Sequence, residues 1–220
     1  MKKSAILISA LFFVGLAPAY AEDGARLFKR KGCYTCHGQN GAQPIGPNYP
    51  VLAGQKADYI FNQIKSFSGG HRSVLPKSTT AEKRRSNQRV LLNPNQMVPF
   101  ANSINKEGDA VIKSIANYLA SQTPKAHNDV DSSLAEQGKT LFAEKGCSAC
   151  HGETGTPPAE GIPGVPKIAG LGPVYIEHQL EAFRRGTRSG TDSIAMMAPN
   201  AGMLSAQEST AIANYLGSVQ

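Results

Sequence analysis

The chain has 220 residues, 40% of them hydrophobic and 18% charged, with 22 Gly, 14 Pro, no Trp and a formal charge of +7. That length allows one or two domains, and the apolar share excludes disorder along the whole chain while the glycines and prolines predict many loops. Four Cys and five His are few, so their arrangement says more than their number.

The chain opens with a targeting pattern. Lys2 and Lys3 precede an apolar run from Ala5 to Leu16, and Ala19-Tyr20-Ala21 supplies a small-x-small cleavage site. The run is short of the ~20 residues that cross a bilayer, so residues 1–21 read as a secretory signal removed before Glu22. The periplasm is the expected compartment, with peripheral membrane association still open. Loss of the two signal lysines takes the formal charge from +7 to +5. Most of that surplus lies between Ser73 and Gln96, where Lys77, Lys83, Arg84, Arg85 and Arg89 face only Glu82. No aromatic platform accompanies these charges, and nucleic acid is not an expected partner of an exported protein. An acidic protein surface or anionic lipid fits them better.

Past the signal, the chain is written twice. Gly24 to Cys33 matches Gly138 to Cys147 at an offset of 114, and both run on into Cys-x-x-Cys-His-Gly. Pro50-Val51-Leu52-Ala53-Gly54 matches Pro166-Lys167-Ile168-Ala169-Gly170 at an offset of 116, as do Tyr59/Tyr175, Gln63/Gln179 and Phe67/Phe183. Met97-Val98-Pro99 matches Met197-Ala198-Pro199 at an offset of 100, so the first half holds 16 extra residues within its basic stretch. Three blocks in one order predict two homologous domains, at 22–122 and 133–220, joined by a linker at 123–132.

Each half reads as all-α. An opening helix leads to the cysteine motif and a Gly/Pro-rich loop, then a middle helix over Tyr59–Phe67 or Tyr175–Phe183, then a closing helix. Val111, Ile112, Ile115, Ala116 and Leu119 carry the apolar stripe of the first closing helix, and Ile212, Ala213 and Leu216 that of the second. Capping boxes at Ser133–Glu136 and Ser205–Glu208 are expected to start the first and last helices of the second half. Three small helices make a thin core, and a large apolar cofactor would help fill it.

Two disulfides would use Cys33, Cys36, Cys147 and Cys150 but give no role to the His that follows each pair. A four-thiolate zinc site ignores His37 and His151 as well. Covalent haem uses all six residues: the thiols attach to the porphyrin and the adjacent imidazole reaches the iron. Two haem c groups are therefore the expected cofactors. Met97 is the one methionine of the first half after the signal, which makes it the candidate sixth ligand there. In the second half Met196, Met197 and Met203 compete, and the repeat favours Met197. His/Met ligation raises the reduction potential and closes the metal to substrate, so the expected role is to carry electrons and not to act as an enzyme. His178 and His71 are matched by Asn62 and Thr187 in the other half and His127 lies in the linker, so all three are expected to be non-ligating, His178 as a surface or interface residue. The carbonyls of Pro47 and Pro163, in matched loops, are candidates to orient the two ligating imidazoles.

With its paired Cys-x-x-Cys-His motifs, the Pro47–Gly54 and Pro163–Gly170 loops, and Met97 and Met197 ahead of closing helices, the chain resembles the cytochrome c4 family. The resemblance implies two class I cytochrome c folds about a pseudo-twofold axis with haem edges close together. It implies partners among membrane respiratory complexes, such as a quinol–cytochrome c reductase or a terminal oxidase towards which electrons are delivered. The chain also resembles the two-haem subunit of flavocytochrome c sulfide dehydrogenase. A third reading is a two-haem peroxidase or thiosulfate-oxidising cytochrome, which requires an open or displaceable iron ligand.

Overall fold

The computed structural model describes residues 23–72, 94–125, 129–158, 160–190 and 192–219. Residues 1–22, where a signal is expected, residues 73–93 of the basic stretch and His127 lie outside the described residues. Helices α1 (Gly24–Arg30), α2 (Tyr34–His37), α3 (Ala57–Ser68), α4 (Val98–Lys106) and α5 (Asp109–Ala120) build the first half. The second is built from α6 (Ser132–Glu144), α7 (Ser148–His151), α8 (Pro173–Arg184), α9 (Asp192–Ala195), α10 (Met197–Gly202) and α11 (Ala206–Ser218). The all-α expectation holds. None of the helices among the described residues is long and apolar enough to cross a membrane.

In each half the opening helix packs on the closing one, α1 on α5 and α6 on α11. Both crossings are closed by a glycine. A Cβ on Gly24 would stand 2.2 Å from the Ser114 carbonyl oxygen, and one on Gly138 would stand 2.0 Å from that of Ala211. An aromatic pair flanks each crossing, Phe28 with Tyr118 at 5.8 Å and Phe142 with Tyr215 at 5.6 Å between ring centroids. Alanine would gain about 0.5–1 kcal/mol of helix propensity over glycine. Forcing the helices apart costs about 1–3 kcal/mol, so overpacking wins. Gly138→Ala is expected to lower the urea midpoint of the haem-loaded protein, and an unchanged or higher midpoint would show that the crossing can widen freely.

The middle helices form as expected, and the closing helices are preceded by an element that the apolar stripes did not reveal. Met97 and Met197 each stand at the start of a further short helix, α4 and α10. Pro99 and Pro199 sit in the first turn of these helices, where a missing N–H is harmless. A second difference concerns α6. Asp131, and not Ser133, caps it, its carboxylate accepting from the backbone N–H of Ser133 at 2.9 Å and of Leu134 at 3.2 Å.

The Ser205 capping box is present. Ser205 Oγ accepts from the Glu208 N–H at 3.2 Å and the Glu208 carboxylate accepts from the Ser205 N–H at 2.7 Å, while Lys145 pairs with Glu208 at 2.7 Å. The Lys145 ammonium and the Ser205 amide together draw the Glu208 pKa down from 4.5 to about 2. A depressed carboxyl pKa stabilises the fold above the unfolded value, and the benefit is lost as pH falls from about 4.5 towards 2. Glu208→Gln should lack that part of the acid dependence in a pH series of denaturation curves, whereas an unaltered acid limb would mean that other carboxylates set it.

Candidate haem sites

Both cysteine motifs lie on single turns of helix between a positive-φ glycine and a chain reversal. Gly38 and Gly152 end these turns at φ 73° each, and a Cβ there would stand 1.8 Å from the Gln43 carbonyl oxygen and 2.2 Å from that of Thr156. The reversal folds each loop back under its histidine. His37 Nδ1 donates to the Pro50 carbonyl at 2.9 Å and His151 Nδ1 to the Pro166 carbonyl at 3.1 Å. The carbonyls that orient the imidazoles thus belong to Pro50 and Pro166, not to Pro47 and Pro163. Pro50 and Pro166 also align at the offset of 116, and that alignment is the signal available in the sequence.

A carbonyl can only accept, so each Nδ1 carries the proton and each Nε2 offers a bare lone pair. His37 Nε2 is buried with no hydrogen-bond partner among the described residues. Burial holds both imidazoles below the usual histidine pKa, partly offset by the proline carbonyls, which keeps them neutral and able to ligate.

Cys33, Cys36, His37 and Met97 line one continuous cavity of about 580 Å³ together with Cys147, Cys150, His151 and Met197. Its walls are also the two hydrophobic cores. Phe28, Ile60, Ile64, Phe67, Ile104, Ile115 and Leu119 face it from one half, and Phe142, Ile176, Leu180, Phe183, Leu204, Ile212 and Leu216 from the other. Burial pushes the Cys33 thiol up to about 11, with a smaller opposing effect from its own backbone, and the Cys147 thiol is raised for the same reason. No cluster of three or more His, Cys, Asp or Glu suited to a metal ion occurs among the described residues. Apolar walls, two thiols per half and imidazoles whose Nδ1 is held by a carbonyl so that Nε2 is left bare fit a porphyrin. They do not fit a zinc ion.

The methionines separate by exposure. Met97 and Met197 are half-buried and pack on the cores of their own halves. Met196 lines the cavity but is 45% exposed, and Met203 is 61% exposed and outside it. From Pro94 to Ile104 the sequence of exposed and buried positions repeats residue for residue from Ile194 to Leu204. The offset of 100 therefore describes the packing as well as the sequence.

His71 is exposed, whereas His178 is buried and lines the cavity, so its position is interior and not on the surface. Asn62, its counterpart, is exposed, so the two halves differ there. Sequence reasoning missed Arg72 and Arg188. The two residues are buried and line the same cavity, and the offset of 116 that pairs Gln63 with Gln179 also pairs them.

The cytochrome c family profile matches residues 21–123 and again 135–220, once for each half. Cytochrome c4 of Pseudomonas aeruginosa is 30% identical over 217 residues, covering 96% of this chain and 94% of the relative. The chain belongs to the cytochrome c4 family. The crystal structure of reduced recombinant cytochrome c4 from Pseudomonas stutzeri superposes with a TM-score of 0.67 at 27% identity, over 88% of this chain and 96% of that one. A "thiosulfate dehydrogenase electron acceptor" of Stutzerimonas stutzeri is 29% identical over 91% of this chain and 88% of its own length. This cytochrome c4 relative thus has two cytochrome c domains and two haem c groups as cofactors, and it is an electron-transfer protein.

Proposed function

We propose that the chain is a periplasmic two-haem shuttle that takes electrons from one respiratory complex and passes them towards a terminal oxidase. Cys33 and Cys36 would attach one haem and Cys147 and Cys150 the other. His37 and Met97 would ligate the first iron, His151 and Met197 the second. When bound, each haem supplies an iron that alternates between ferrous and ferric states and so accepts or releases one electron. The protein side chains do the rest. The Pro50 and Pro166 carbonyls hold the imidazole tautomer, and the apolar walls exclude water and keep the charge change in a low-dielectric setting, where weak thioether donation favours ferrous iron.

The observation that carries this reading is the single cavity lined by both motifs and both methionines. Saturated irons leave nowhere for a substrate to bind, which separates a carrier from a two-haem peroxidase. The decisive experiment mixes the reduced protein with membranes containing a terminal oxidase and follows its reoxidation. Oxidation that stops when the oxidase is inhibited supports the shuttle, and no oxidation at all would overturn it.

A second reading shares the carrier chemistry and changes the donor. The Stutzerimonas stutzeri relative is named as the acceptor of thiosulfate dehydrogenase. Reduction of this protein by thiosulfate in an extract containing that dehydrogenase, faster than by quinol with a quinol–cytochrome c reductase, would favour it. A stable flavoprotein partner on purification would favour the flavocytochrome arrangement instead.

The five basic residues between Ser73 and Gln96 are proposed to steer an acidic partner. The Debye length falls from about 30 Å at 0.01 M salt to about 8 Å at 0.15 M, so the rate with the native partner should fall over that range. Neutralising Lys83, Arg84 and Arg85 together should flatten the salt dependence. An unaltered dependence would place docking elsewhere.

A further inference from the structure

Two arginines face each other in the boundary between the domains. The segments that carry them pair antiparallel at Arg72 and Arg188, and the Ser189 N–H donates to the His71 carbonyl at 2.9 Å. Arg72 is 8% exposed and Arg188 7%. Each guanidinium lies 4.4 Å from the ring centre of a phenylalanine in its own domain, Phe67 for Arg72 and Phe183 for Arg188. Their hydrogen bonds cross the boundary. Arg72 donates to Gln179 at 2.6 Å and to Gln63 at 3.1 Å, while Arg188 donates to Gln179 at 2.5 Å, to Gln63 at 3.2 Å and to the Tyr59 hydroxyl at 2.5 Å.

Every one of these acceptors is neutral. Two like charges therefore stand together out of water with no carboxylate against them among the described residues, and burial first, then the Arg188 charge, holds the Arg72 pKa below its usual value. A buried cation pair of this kind is unfavourable unless anions complete it. Both arginines line the cavity that holds the haem motifs, and a haem brings two carboxylate side chains of its own. Planar guanidinium groups suit carboxylate oxygens.

We infer that Arg72 and Arg188 form one shared seat for carboxylates of both haems, so that charge at either arginine acts on both irons. Gln63 and Gln179 hold the seat across the boundary, since each amide oxygen accepts from both arginines. The two arginines are positioning residues, and they make the potentials of the two haems interdependent. This inference rests on the two-haem carrier reading. Failure of that reading would show as high-spin iron, which is independent of the readout below.

The test is a redox titration of the haem-loaded protein resolving both potentials. Arg188→Gln removes a cation, and Gln179→Glu adds an anion between both guanidinium groups without changing the volume. Each is expected to lower both potentials, shifting the reduced-to-oxidised ratio at fixed potential by about tenfold, or ~59 mV for one electron. Arg188→Lys should restore most of that shift. Lys65→Gln, which removes a solvent-exposed cation from α3, should leave both potentials unchanged. Movement of only one potential would make each arginine a purely local anchor and overturn the shared seat, and no movement would overturn the inference entirely. If Arg188→Gln fails to keep its haems, Gln179→Glu decides by the same criteria.

Discussion

Replacing Met97 or Met197 with Ala is expected to remove one of the two methionine–iron charge-transfer bands from the ferric spectrum and to lower the potential of that haem. A thioether is a weak, neutral donor that favours ferrous iron, and water or hydroxide in its place favours ferric iron. Met196→Ala should keep both bands, because Met196 is 45% exposed while Met197 packs on the core in the register that Met97 occupies. Two bands surviving in Met197→Ala, with one lost in Met196→Ala, would transfer the ligand role to Met196. The distinction matters because the two residues are adjacent. On a short helix that places their side chains about 100° apart, so only one can aim at a given iron.

The Cys33→Ala/Cys36→Ala double substitution should leave one covalently attached haem per chain where the parent has two. The matching Cys147→Ala/Cys150→Ala substitution should do the same for the other domain. Covalent haem resists extraction by acidified organic solvent, so the expected result is extraction of any haem from the altered domain and retention by the intact one. The first domain should also lose stability. Its core residues Ile60, Ile64, Ile104 and Leu119 are walls of the cavity, and deleting a large apolar group that they pack on exposes them. Two resistant haems in either double variant would contradict the attachment sites.

Much of this arrangement was legible in the sequence because duplication makes each residue a check on its counterpart. The offset of 114 aligns both cysteine motifs and also the glycines that the structure places at the helix crossings, and the offset of 100 favours Met197 over Met196. Local pattern was less reliable. Ser133 and Glu136 have the spacing of a capping box, yet Asp131 captures two backbone N–H groups first, since an ionised carboxylate is a stronger acceptor than a hydroxyl. Pro99 sits in the first turn of α4, an element that the apolar stripes do not announce. Pro47 and Pro163 align as well as Pro50 and Pro166 do. Which carbonyl reaches an imidazole depends on how the loop closes, and spacing does not encode that closure.

Arg72 and Arg188 show the opposite limit. The repeat aligns them, but an arginine in a Gly-rich turn reads as a solvated charge, because long cationic side chains are seldom buried without a partner. Their hydrogen bonds run across the boundary between the domains, a contact that no local pattern encodes. His178 reads from the sequence as a surface or interface residue, and its burial removes the surface alternative. Its counterpart Asn62 is exposed, so the repeat carries no signal of that burial.

Electron paramagnetic resonance of the untreated ferric protein tests the central claim most directly, because spin state reports whether both axial positions are filled. Two low-spin signals and none from high-spin iron are the expected result. A high-spin signal from either haem would mean an open coordination position, and with it a protein built to react with a small molecule.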